Sequence, residues 1–186
     1  MPTEVIEHRR RLPHQYPEGR ELFLTWHLLG SVPPSRFPPP NKKFSAGEAF
    51  VWIDRYLDTT RTGPMWLKDH RVAKIVEDSI RRGAFELGQY ELSAYVVMAN
   101  HVHMLVLPIA DPTKLLRSLK SYTARQANKL LGRSGPFWQR ETYDHWLRKE
   151  GEYDRIKTYI ENNPVKAGLV TKAADYRWSS ASKRWT

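Results

Sequence analysis

Residues 90 to 108, YELSAYVVMANHVHMLVLP, constrain the fold more than any other stretch of this chain. Two runs rich in β-branched, aromatic and aliphatic residues, 90–99 and 101–108, meet at Ala99-Asn100 and read as adjacent strands around a tight turn. The second run carries His101 and His103. Side chains at i and i+2 of a strand share a face, so both imidazoles project together while Val102, Met104 and Val106 point the other way. A hairpin this apolar needs cover.

The remaining chain supplies the cover. ELFLTWHLLG (21–30) reads as a first strand, and the five prolines of SVPPSRFPPPNKK (31–43) make a long surface loop. Residues 46–57 have helical apolar spacing. A stronger helix is expected over 64–83, with Pro64 in its first turn, a stripe at Trp66, Leu67, Val72, Ile75, Val76 and Ile80, and Gly83 as its stop. Asp111, Pro112 and Gly132 frame a helix over 111–132. FWQRETYDHWLR (137–148) reads as a bent strand, and 151–170 as a helix ended by Asn163-Pro164. This order predicts an α+β fold: a ferredoxin-like antiparallel sheet, its element order modified, with helices on one face and the histidine pair on a central strand. The expected organisation is a basic lead-in over 1–20, one domain over 21–181 and a tail over 182–186.

Composition narrows the function. Thirty Lys and Arg against 20 Asp and Glu give a net charge of +10, which favours a polyanionic partner, most commonly nucleic acid. The helix over 111–132 places Lys114, Arg117, Lys120, Arg125 and Lys129 on a basic face. With no cysteine there is no disulfide framework, thiolate metal site or cysteine nucleophile. No apolar run approaches the ~20 residues of a membrane span, and the N-terminus lacks the apolar core of a signal peptide. A cytoplasmic, nucleoid-associated protein without membrane contact is expected.

Two imidazoles side by side can chelate one divalent cation and leave positions open for oxygen ligands, water and substrate. Chance alone gives about 0.26 H-x-H matches for seven histidines in this length, so the spacing by itself decides little. Burial in a strand raises the stakes, because a buried imidazole needs a partner or a metal. On the residues alone, metal ligands stand narrowly ahead of satisfied core histidines. An open site for Mg²⁺ or Mn²⁺ on a basic protein points to phosphodiester chemistry, which needs a nucleophile. Tyr159 is a candidate, with Asn163 one helical turn later on the same face. Core packing beside Ile156 and Ile160 is the competing reading for Tyr159.

Taken together and in order, TWHLLGSVPP, VVMANHVHMLV, GPFWQRETYDHWLR, YIENNPVKAGLV and YRWSSA resemble the REP-associated tyrosine transposases, part of the HUH single-tyrosine endonuclease superfamily. The resemblance spans residues 21 to 181. It puts the HUH motif at His101-Val102-His103, the catalytic tyrosine at Tyr159 and the third metal ligand at Asn163. It also implies a metal-dependent attack of the tyrosine on single-stranded DNA, leaving a 5′-phosphotyrosine and a free 3′-OH, and a REP-type DNA hairpin as substrate. A monomer or homodimer is expected. Lys114, Arg117, Lys120, Arg125, Trp138, Arg140 and His145 are candidate DNA contacts, with Phe137 and Trp146 as further stacking candidates. Two readings compete: a hairpin-binding protein that does not cut, and an RNA-directed nuclease in which water attacks. The proline loop and first helix, 31–57, carry no functional expectation.

Overall fold

The computed structural model describes residues 19–36 and 45–185. Most of the basic lead-in, and the proline loop beyond residue 36, lie outside the described residues. Strand β1 (Leu22–His27) is followed by α1 (Ala46–Thr59) and α2 (His70–Phe85), then the hairpin β2 (Tyr90–Val97) and β3 (His101–Pro108). α3 (Pro112–Leu131), β4 (Tyr143–Trp146) and α4 (Glu152–Lys166) complete the order. The fold is α+β, with a four-stranded sheet in the order β2-β3-β1-β4 and every pairing antiparallel. β3 is therefore central, and Thr25 and His27 of β1 stand opposite His103 and His101.

The helices cover both faces rather than one. β3 is buried continuously from His101 to Val106, so each face of the sheet needs its own apolar cover. Leu22, Leu24, Trp26, Val102, Met104 and Val106 pack against Val72, Val76 and Ile80 of α2 and Leu115 and Leu119 of α3. The opposite face, Phe23, Ala94, Val96 and Leu105, packs against Ile160 of α4 with Phe50 of α1 and Ile156 at its margin. The histidines belong to this second face. The outer edge of β2 is closed by the tail: Val97 N–H donates to Trp178 O at 2.8 Å and Ser180 N–H to Tyr95 O at 2.9 Å. Covering a free strand edge removes a template for pairing with another chain.

Four boundaries differ from the sequence expectation. α2 begins at His70, because Asp69 accepts the Arg71 N–H at 2.9 Å as its cap, while Trp66–Lys68 forms a separate 3₁₀ turn. Gly83 does not stop the helix. A Cβ there would sit 2.4 Å from the Tyr90 hydroxyl, so the glycine instead admits Tyr90, whose Oη donates to Ile80 O at 2.6 Å. The strand expected over 137–148 pairs only at Tyr143–Trp146, with an isolated bridge between Leu28 and Trp138. In the gap the Lys120 ammonium takes up Gln139 O, Arg140 O and the Thr142 hydroxyl, while the Gln139 N–H stays on His27 O of β1 at 2.8 Å.

α4 also runs through the expected stop at Asn163-Pro164 and ends at Lys166. Proline removes one helical hydrogen bond, but so near the end only a single turn is affected, and Ala167 N–H closes it on Asn163 O at 2.9 Å. Tyr159 and Asn163 therefore keep the one-turn relation that puts them on one face.

Candidate active site

The hairpin turn fixes the first histidine. His101 Nδ1 lies 2.7 Å from Asn100 Oδ1, and Asn100 Nδ2 donates to Leu57 O at 3.1 Å. Since the amide nitrogen must face that carbonyl, its oxygen faces His101 and can only accept. His101 Nδ1 therefore carries the proton, and Nε2 presents its lone pair to the site. Burial, and then the neighbouring His103, hold the His101 pKa well below the ordinary histidine value, so the ring is neutral. His103 is oriented in the same way, with Nδ1 2.6 Å from the Thr25 hydroxyl. Both rings are fully buried, 4.8 Å apart between centroids.

α4 brings Tyr159 and Asn163 to the same place. Asn163 is fully buried, its Nδ2 3.4 Å from His103 Nε2 and its Oδ1 without a hydrogen-bond partner. The Tyr159 ring lies 5.6 Å from that of His103 and also borders Phe23. Lys166, one further turn along, stands 5.2 Å from the Tyr159 ring.

α1 was not expected to contribute, yet it does. A Ser45–Glu48 capping box starts this helix, with Ser45 accepting the Glu48 N–H and Glu48 accepting the Ser45 N–H. Phe50 stacks on Tyr143 at 4.2 Å, and Leu57 is buried. Asp54 and Asp58 share the same stripe and enter the site with side chains 3% and 2% exposed. Asp54 Oδ1 lies 3.1 Å from His103 Nε2 and 4.0 Å from His101 Nε2, and Asp54 Oδ2 accepts a hydrogen bond from the Tyr159 hydroxyl. Asp58 Oδ1 is 3.6 Å from His101 Nε2, and Lys166 Nζ is 2.9 Å from Asp58 Oδ2 and 3.8 Å from Asp54 Oδ2. Burial pushes both carboxyls up. For Asp54 the histidines and Lys166 outweigh it and hold the pKa below the ordinary value; Asp58, facing Asp54 as well, stays raised despite Lys166. The legible signal was two aspartates on an apolar stripe, at Phe50, Asp54, Leu57 and Asp58.

Ligand atoms of Asp54, His101 and His103 all lie within 4.8 Å of one another. His101 Nε2, Asp58 Oδ1 and Asn163 Oδ1 are buried without hydrogen-bond partners, and Asp54 Oδ1 makes no well-directed one. Leaving several such atoms unmet in one place is costly, and a cation would satisfy them together. Imidazole nitrogens with carboxylate and amide oxygens suit a divalent metal. The residues fit that group.

The other candidate residues lie elsewhere. Lys114, Arg117, Arg125 and Arg140 are exposed, and Arg117, Lys120 and Arg140 line a groove of about 600 Å³ beside α3. Lys120 is half-buried and spends its ammonium on the loop described above. Trp138 is buried at 7% exposure, with its Nε1–H on Thr123 Oγ1 at 3.0 Å, and Phe137 is buried beside it. Both border the same groove as Arg117, Lys120 and Arg140. Arg148 lies over the half-buried Trp146 ring, 4.3 Å from its centroid. His145 Nε2 meets Glu152 Oε1 at 2.7 Å, and Glu152 Oε2 accepts the Arg148 and Lys149 N–H groups, so this pair clips the start of α4.

The central strand of a four-stranded antiparallel sheet thus buries two histidines, and α1 lays Asp54 against them. Residues 49–163 match the family described as "Transposase IS200 like", and the chain belongs to that family. A REP-associated tyrosine transposase of Escherichia coli K12 is 30% identical over 94 residues, covering 49% of this chain and 54% of that protein. A Haemophilus influenzae protein that carries the same name provisionally is 30% identical over 103 residues, covering 49% of this chain and 58% of its own. The chain thus spans just over half the length of these curated relatives. The solved structure of a REP-associated tyrosine transposase bound to a REP hairpin superposes with a TM-score of 0.59 at 20% identity, over 92% of this chain and 82% of that one. The fold is shared. Among the described residues, no helix is long and apolar enough to cross a membrane.

Proposed function

We propose that this chain is a metal-dependent single-stranded DNA endonuclease and strand transferase, acting on REP-type hairpins through a covalent 5′-phosphotyrosine. One observation carries the reading: α4 brings the Tyr159 ring and the buried Asn163 side chain against the buried histidine pair of β3. Residues 21–181 act as one unit in this reading. His101, His103 and Asn163, with Asp54 beside them, would hold Mg²⁺ or Mn²⁺. When bound, the ion supplies positive charge that polarises a scissile phosphate.

The chain's own residues do the rest. Tyr159 Oη attacks phosphorus, an O–P bond forms and the bond to the 3′ oxygen breaks. The phenolic proton ends on the leaving oxygen as the free 3′-OH. One phosphodiester is exchanged for another, so the step reverses when a 3′-OH attacks the phosphotyrosine. Asn100 and Thr25 keep the imidazoles turned towards the site throughout. The hairpin preference is supported by the relatives' names and by the DNA-bound structure that shares this fold.

The test is a denaturing gel with labelled single-stranded REP hairpin and Mn²⁺. Wild type and Tyr143→Phe should give a shifted, denaturant-resistant band, and Tyr159→Phe, which lacks only the hydroxyl, should give none. An adduct persisting in Tyr159→Phe and mapped to another tyrosine would overturn the assignment.

A further inference from the structure

Helix α1 lies outside the motifs that carry the family resemblance, yet it delivers the best-placed carboxylate in the site. The two oxygens of Asp54 divide their work. Oδ1 faces His103 and His101 Nε2 at 3.1 and 4.0 Å, while Oδ2 receives the Tyr159 hydroxyl. From this geometry we propose that Asp54 is both an oxygen ligand of the cation and the positioning residue of the nucleophile, joining the two through a single carboxylate.

Three further observations support this. The Asp54 side chain is 3% exposed, and a carboxylate this buried needs compensating positive charge. Lys166 does not supply it to Oδ1: it sits on the Oδ2 side and lies closer to Asp58, at 2.9 against 3.8 Å. His101 turns its Nδ1 to Asn100 Oδ1, so that its Nε2 faces inward, towards Asp54 and Asp58. The Oδ1 edge of Asp54 therefore faces two ring nitrogens and a position where a cation completes the set. Asp58, paired with Lys166, backs this arrangement without reaching His103 and acts as an outer support. The cation is then held from three elements, β3, α4 and α1, and its binding fastens α1 over the site.

The proposal rests on the reading that His101 and His103 bind metal, and the experiment separates the two. Mn²⁺ affinity is measured on the whole protein without DNA, by titration calorimetry and by the loss of the free-ion EPR signal. Asp54→Asn should weaken Mn²⁺ at least tenfold, and Tyr159→Phe should leave the affinity within twofold of wild type. At saturating Mn²⁺, Asp54→Asn should still form adduct slower than wild type, because an amide presents a weaker acceptor to the phenol. A folded Asp54→Asn with wild-type Mn²⁺ affinity would overturn the ligand role, and one with a wild-type adduct rate would overturn the positioning role. Where His101→Ala also binds Mn²⁺ normally, the metal reading itself falls. A check independent of folding uses wild type labelled with ¹³C at its aspartate carboxylates. Mn²⁺-bound protein should show a ¹³C hyperfine coupling that is absent from protein labelled at glutamate, and no coupling would overturn the proposal.

Discussion

At the residue scale, the site depends on side chains that never reach its centre. Asn100 spends its amide nitrogen on Leu57 O and its oxygen on His101 Nδ1, so one turn residue fixes the tautomer of a candidate ligand and ties β3 to α1. Outer partners of this kind typically contribute 10- to 100-fold to metal affinity. Asn100→Ala should therefore weaken Mn²⁺ binding by about that factor while leaving Tyr159 in place. Calorimetry on a variant whose circular dichroism matches wild type is the measurement, and an unchanged affinity would mean the ring keeps its tautomer without the amide. The neighbouring strand β1 offers a parallel case in Thr25, whose hydroxyl holds His103.

The elements are set by a few close approaches that propensity scales do not weigh. Gly83 is the clearest example. In an exposed helix, replacing glycine by alanine gains roughly 0.8–1 kcal/mol. In α2 the added methyl would meet the Tyr90 phenol at 2.4 Å, and Tyr90 is locked by its bond to Ile80 O. Overpacking of this kind costs about 1–3 kcal/mol, so it outweighs the propensity gain. Gly83→Ala should lower the midpoint of urea unfolding without changing the slope, and a raised midpoint would show that Tyr90 moves aside freely. Pro164 presents the opposite case. It reads as a helix stop, but at the last turn of α4 its missing N–H costs little, and the face of Tyr159, Asn163 and Lys166 is preserved.

For the whole molecule, the two faces of the sheet divide the labour. α2 and α3 close an apolar core on one side, and α1 and α4 enclose the polar cluster on the other. The exposed cations Lys114, Arg117, Arg125 and Arg140 lie on or beside α3. With a net charge of +10, affinity for single-stranded DNA should fall steeply with salt, the log–log slope steepening by ~0.7 for each phosphate contacted. Fluorescence anisotropy across a salt series measures it. Arg117→Ala combined with Arg140→Ala should make the slope shallower by about 1.4, twice that increment. A slope unchanged by the pair would place the DNA elsewhere.

The strand hairpin, the shared face of His101 and His103, and the helix carrying Tyr159 one turn before Asn163 were all legible, because each depends on periodicity and spacing within a short segment. So was the α+β class, which follows from the order of elements. Three things depended on contacts between distant segments, which periodicity does not encode. The second layer of helices follows from a sheet apolar on both sides. The shortness of β4 goes with Lys120 reaching across to the loop at 139–142. Asp54 meets Tyr159 across 105 positions of sequence, and nothing local to α1 names that partner. Two acids on an apolar stripe show in the sequence that something polar waits beneath α1. Only the packing of α1 on β3 and α4 decides that it is the histidine pair and the tyrosine, because a buried carboxylate is stable only where the fold brings it compensating groups.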